Sequence, residues 1–142
     1  MNPFDLIYPM FAMVLLTAVV LVSLFMSRVQ AVREGKVSAH YFKTRQDGIE
    51  PESSLKRSRQ FSNIFESPTL FYIACLAAMI TQQAALSFVL MAWIFVLLRV
   101  MHAYIHIGRN RLRPRIAVYA LSWIVLLSMW TYLAIGIALT AP

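Results

Sequence analysis

Four long apolar runs alternate with polar stretches along the chain, and each run is long enough to form a membrane-spanning helix, which needs about 20 apolar residues. The pattern predicts helices at about 9–27, 55–81, 84–107 and 114–140, with polar loops at 28–54 and 108–113. Only Thr81-Gln82-Gln83 separates the second run from the third, so these two helices should form an antiparallel hairpin.

Composition supports this interpretation. Of 142 residues, 60% are hydrophobic and only 13% are charged, whereas soluble domains carry about 45–50% apolar and about 25% charged residues. A soluble globular domain of this size could not hide so many apolar side chains. We therefore expect one all-α membrane domain over 1–142, a bundle of four transmembrane helices. The single cysteine, Cys75, excludes an internal disulfide.

The positions of the charges predict the orientation. Every Lys and Arg lies on the side of the two polar loops or at its edge, which is the positive-inside pattern. Both loops should be cytoplasmic and both termini outside, in a multi-pass protein of a bacterial inner membrane. The net charge of +7 is then explained by topology and contact with membrane lipids, which disfavours binding to nucleic acid.

Two of the helices reach full length only by including polar residues. The apolar part of helix 2, residues 67–80, covers about 21 Å of a hydrocarbon layer near 30 Å. Two polar stripes with helical spacing therefore meet at the cytoplasmic boundary: Arg59, Asn63 and Glu66 on helix 2, and Arg99, His102 and His106 on helix 3. Ionisable groups at such depth mark candidate sites, although Glu66 and Arg99 could instead simply neutralise each other. Pro68 should bend helix 2 beside this cluster.

Four helices, a long first loop and the pattern Arg59-x-x-x-Asn63-x-x-Glu66 resemble the MAPEG family, the membrane-associated proteins of eicosanoid and glutathione metabolism, in its bacterial-type form similar to microsomal glutathione transferases. The resemblance covers essentially the whole chain, and its specific part runs from Arg59 to Arg115. It implies a homotrimer that holds glutathione at the cytoplasmic ends of helices, between subunits.

The resemblance also implies roles for individual residues. Glutathione would contact Arg59, Asn63, Glu66 and Arg99. It would also contact His102 and His106, which stand where the family often has tyrosines. The arginine that stabilises the glutathione thiolate best matches Arg113, with Arg111 and Arg115 close by. Arg28 or Arg33 would supply the contribution that some members make from the end of helix 1.

These residue types suit glutathione, since arginines bind its two carboxylates and an acid binds its ammonium group. The expected function is a membrane-bound glutathione transferase or peroxidase that acts on lipophilic electrophiles, with glutathione as co-substrate. One alternative is a non-catalytic subunit or lipid-binding module of a larger membrane complex. A second is a metal or haem site built from His102 and His106 with Glu66, although the expected site contains no metal.

Overall fold

The structure, a computed structural model, describes residues 2–44, 50–108 and 110–140. Within these ranges the chain is helical and has no strand. A 3₁₀ turn at Pro3–Leu6 precedes six helices: α1 Ile7–Arg33, α2 Tyr41–Thr44, α3 Glu52–Asn63, α4 Ser67–Ile80, α5 Leu86–Ile107 and α6 Leu112–Thr140. Four segments are long and apolar enough to cross a membrane: Pro3–Arg33, Glu52–Ile80, Leu86–Ile107 and Leu112–Leu139. The predicted fold class, an all-α bundle with four transmembrane helices, is confirmed.

Helix α1 continues past the predicted end at residue 27, because no helix breaker occurs before Gly35. Gly35 adopts φ +67°, a left-handed conformation that glycine reaches without steric cost. Its backbone N–H donates to the carbonyl of Val32, and the N–H of Lys36 donates to the carbonyl of Ala31. This glycine cap ends the helix after Arg33.

The second span is interrupted at residues 64–66, between α3 and α4. Pro68 has no backbone N–H and so cannot donate to the carbonyl of Ile64, four residues earlier. Tighter turn hydrogen bonds replace the regular helical ones there, such as the bond from the N–H of Phe65 to the carbonyl of Ser62. The predicted bend beside Pro68 is therefore present, as a complete break in the helix.

A tight turn, with Gln82 at φ 57°, joins α4 to α5 and forms the predicted hairpin. The hairpin buries an apolar stripe centred on Phe71 and Phe95, whose rings stack with centroids 4.6 Å apart. Helix α6 packs along α5 and adds Leu126, Met129 and Leu133 to the same core. We call the end of the bundle that carries this turn the turn end. The opposite end, where α1 and α5 end and α3 and α6 begin, is the loop end.

Candidate functional site

A cavity of about 380 Å³ lies at the loop end, where α3, α5 and α6 meet. Its size falls in the range of small-molecule sites, about 300–1,000 Å³. Its lining consists of Arg59, Ser62, Asn63, Glu66, His102, His106, Arg115, Ile116 and Tyr119. The structure thus brings together five of the six residues of the two predicted stripes, all except Arg99. It adds Arg115, which was named beside Arg113 from the sequence, and Tyr119.

The break in the second span shapes one wall of this cavity. In an uninterrupted helix the carbonyl of Asn63 would accept a hydrogen bond from the N–H of Ser67. Here that carbonyl accepts from Nη2 of Arg99, at 3.1 Å, and the Oδ1 of Asn63 accepts from the same nitrogen at 2.7 Å. Arg99 is completely buried and is not among the residues that line the cavity. Arg99 therefore binds Asn63 from inside the bundle and not from the cavity.

Asn63 in turn connects Arg99 to Glu66. Its Nδ2 donates to Oε2 of Glu66 at 3.2 Å, and the hydroxyl of Tyr119 donates to the same oxygen at 3.4 Å. In the described part of the chain no direct ion pair joins Glu66 to Arg99. The two opposite charges that the sequence placed at similar depth are therefore linked through a neutral amide.

The two histidines form the wall contributed by α5. Both are buried, and their ring centroids lie 5.8 Å apart, as expected for positions i and i+4. The ring of Tyr119 meets the ring of His102 edge-on at 5.5 Å and lies 5.9 Å from the guanidinium carbon of Arg99. Neither ring nitrogen of His102 has a hydrogen-bond partner among the described residues.

Comparison with known protein families identifies the family of this chain. The model of the MAPEG family matches residues 6–135, almost the entire chain. The chain belongs to the MAPEG family. This family of membrane proteins includes glutathione transferases and related enzymes. No curated protein and no solved structure matches the chain significantly.

The MAPEG resemblance leaves three arginines near the start of α6 as candidates to stabilise a thiolate, and the structure separates them. Arg115 lines the cavity, and its Nη1 donates to Oδ1 of Asn110 at 2.6 Å. Arg113 is exposed and lies outside the cavity lining. Arg111 borders a different cleft, with Tyr104. Asn110 holds φ 48°, a conformation that asparagine tolerates better than most residues, so the connection itself positions Arg115.

The two α1 arginines expected to contribute in a MAPEG site lie away from this cavity. Nε of Arg28 is 3.7 Å from Oε1 of Glu50, and its guanidinium carbon is 5.2 Å from the ring centroid of Phe42. Arg33 is exposed and borders a shallow cleft along α1. Within one chain, neither reaches the residues of the MAPEG motif.

Three residues that line the cavity, Ser62, Ile116 and Tyr119, were not singled out from the sequence. Among them Tyr119 makes the contacts with Glu66 and His102. The sequence feature that could have identified Tyr119 is its position four residues after Arg115, which places both on the same face of α6.

The alternative of a metal site finds no support in the geometry. Among the residues the structure describes, no three His, Cys, Asp or Glu side chains are grouped so that they could hold a metal ion.

Proposed function

We propose that this protein is a glutathione-dependent transferase or peroxidase that acts on lipophilic electrophiles. The observation that carries the proposal is the composition of the loop-end cavity. Two arginines, Arg59 and Arg115, and a single acid, Glu66, line a space large enough for a small molecule. Glutathione carries two carboxylates and one ammonium group, and it therefore complements this distribution of charge.

The same cavity favours the reactive form of the ligand. A free thiol has a pKa near 8.5, and nearby guanidinium groups lower the pKa of a thiol by stabilising its anion. Arg115 is the arginine of the α6 start that lines the cavity, and we propose it, in preference to Arg113, as the group that stabilises the thiolate. Arg113 then serves as the matched comparison.

Access for a lipophilic electrophile is the second requirement. Ile116 of α6 lines the cavity and is exposed, and Phe65 is exposed at the break. A compound dissolved in the bilayer could reach the cavity sideways past these apolar side chains. We also propose the homotrimer of the MAPEG family, in which a neighbouring α1 would bring Arg28 or Arg33 towards the cavity.

The decisive experiment assays detergent-purified protein with glutathione and a generic aromatic electrophile. We expect turnover by the wild type, a large loss in Arg115→Ala and a small effect in Arg113→Ala. We also expect glutathione to protect the wild type against heating and to give no protection in Arg59→Ala or Glu66→Ala. Protection without turnover would favour a binding or structural role, and absence of both would contradict the proposal.

A further inference from the structure

The two histidines of the loop-end cavity have buried ring nitrogens that the protein itself does not use. Both nitrogens of His102 and the Nδ1 of His106 have no hydrogen-bond partner in the ranges described. Most buried polar atoms in proteins are hydrogen-bonded. A buried imidazole that lines a cavity and lacks a protein partner is therefore a group placed to act on what the cavity binds.

This inference rests on the proposed function, which requires a group that accepts the proton of the glutathione thiol. When the thiol of glutathione becomes a thiolate, the S–H bond breaks and the proton must be taken up and carried away. Arg59 and Arg115 can stabilise the anion, but a guanidinium is always protonated and cannot accept a proton. Glu66 already accepts hydrogen bonds from Asn63 and Tyr119, and it is the acid that pairs with the ligand's ammonium group.

We propose that His102 accepts the thiol proton and passes it to His106, which releases it to water at the loop end. The S–H bond breaks, an N–H bond forms on one ring nitrogen of His102, and a proton leaves from the other nitrogen. The ring centroids lie 5.8 Å apart, and in this proposal a water that enters with the ligand bridges the two rings. The thiolate remains in the cavity, one proton enters the solvent, and no oxidant or reductant is needed.

The charges around His102 and His106 favour rapid release of a bound proton over its retention. Cations act on the pair from three helices: Arg99 from α5 itself, Lys56 and Arg59 from α3, and Arg115 from α6. Each of them repels an added positive charge on the imidazole, so a proton that reaches His102 is passed on. Glu66 is the anion of the same cavity, and the Tyr119 edge contact fixes the orientation of the His102 ring.

Rapid mixing of the purified protein with glutathione tests this relay. The ultraviolet absorbance of the thiolate and a pH indicator in weak buffer would report thiolate formation and proton release in the same reaction. In His102→Gln we expect the final amount of thiolate to be retained, because the arginines set it. The rate should fall roughly 100-fold, the scale of proton-transfer catalysis, and added imidazole should restore part of it.

His106→Gln, nearer the loop end, should slow the same step and gives a second test if His102→Gln does not fold. Glutathione protection against heating reports whether each variant still folds and binds. The matched control is His40→Gln, since His40 is exposed and is not among the cavity residues. Unchanged rates in both folded variants, or a lost amplitude of thiolate, would overturn the relay. Absence of thiolate in the wild type would instead overturn the proposed function.

Discussion

Replacing Asn63 by alanine should destabilise the protein through Arg99. In the described chain Arg99 makes hydrogen bonds only to Asn63, one to its carbonyl and one to its side-chain oxygen. The substitution removes the shorter bond, at 2.7 Å, and leaves a fully buried guanidinium with a single carbonyl at 3.1 Å. Hydrogen bonds to charged groups contribute about 1.5–3 kcal/mol, so we expect the free energy of unfolding to fall by about that amount.

The Arg99→Met variant tests whether the loss of stability in Asn63→Ala arises from Arg99. Arg99→Met keeps a long apolar side chain and removes the buried charge, so Asn63 no longer has a cation to bind. The destabilisation caused by Asn63→Ala should then shrink by at least about 1 kcal/mol. The difference between the two backgrounds measures the coupling between the two side chains.

The measurement is unfolding of the detergent-solubilised protein by sodium dodecyl sulfate, followed by circular dichroism without glutathione. Thr69→Ala is the control, because the Thr69 hydroxyl donates only to the carbonyl of Phe65 one turn earlier on the exposed surface. It should change the free energy of unfolding by no more than about 0.5 kcal/mol. Equal losses from Asn63→Ala in both backgrounds would refute the view that Asn63 acts on stability through Arg99.

Three further predictions concern packing. Gly136→Ala should change stability by no more than about 0.5 kcal/mol, because the methyl group displaces only the end of the flexible Gln83 side chain, and alanine favours a helix interior over glycine. In the Gln83→Ala background the same substitution should stabilise the protein by about 0.5–1 kcal/mol. Phe71→Ala should reduce stability by about 3–5 kcal/mol, since this fully buried ring stacks on Phe95. Cys75 is fully buried, so mass spectrometry should find it unlabelled by a maleimide in the folded protein and fully labelled after denaturation.

Each of these predictions has an outcome that contradicts it. If Gly136→Ala gave no gain in the Gln83→Ala background, the added methyl group would be meeting something other than the Gln83 side chain. A Phe71→Ala loss below about 1 kcal/mol would be typical of a half-exposed side chain. Rapid labelling of the native thiol would mean that the bundle opens beside α4.

The elements that the sequence predicted well are those set by local pattern. Span length follows from apolar run length, and the hairpin follows from a connection too short for any other geometry. Helical spacing also placed Arg59, Asn63 and Glu66 on one stripe, and all three line one cavity. These inferences need no knowledge of how the helices pack against each other.

The choice among the arginines at the start of α6 could not be made in the same way. Residues two apart on a helix point about 200° from each other, so Arg113 and Arg115 cannot face one cavity together. Which of them turns inward depends on the rotation of α6 about its axis, and packing of its core residues, such as Leu126 and Met129, against α5 fixes that rotation. Tyr119 faces the cavity for the same reason.

The role of Arg99 also depended on the tertiary structure, because it required the break between α3 and α4. At the break the carbonyl of Asn63 loses its regular helical partner and accepts only a long turn bond from the N–H of Glu66, at 3.4 Å. Arg99 donates to the same carbonyl from inside the bundle. The central residue of the motif must then accept from Arg99 and donate to Glu66 at the same time. An amide can do both, whereas an ionised aspartate can only accept and alanine can do neither. The asparagine is thus required by the buried cation behind it as much as by any ligand in front of it. The Asn63 side chain is therefore the hydrogen-bonded link between Glu66, which lines the cavity, and the buried Arg99.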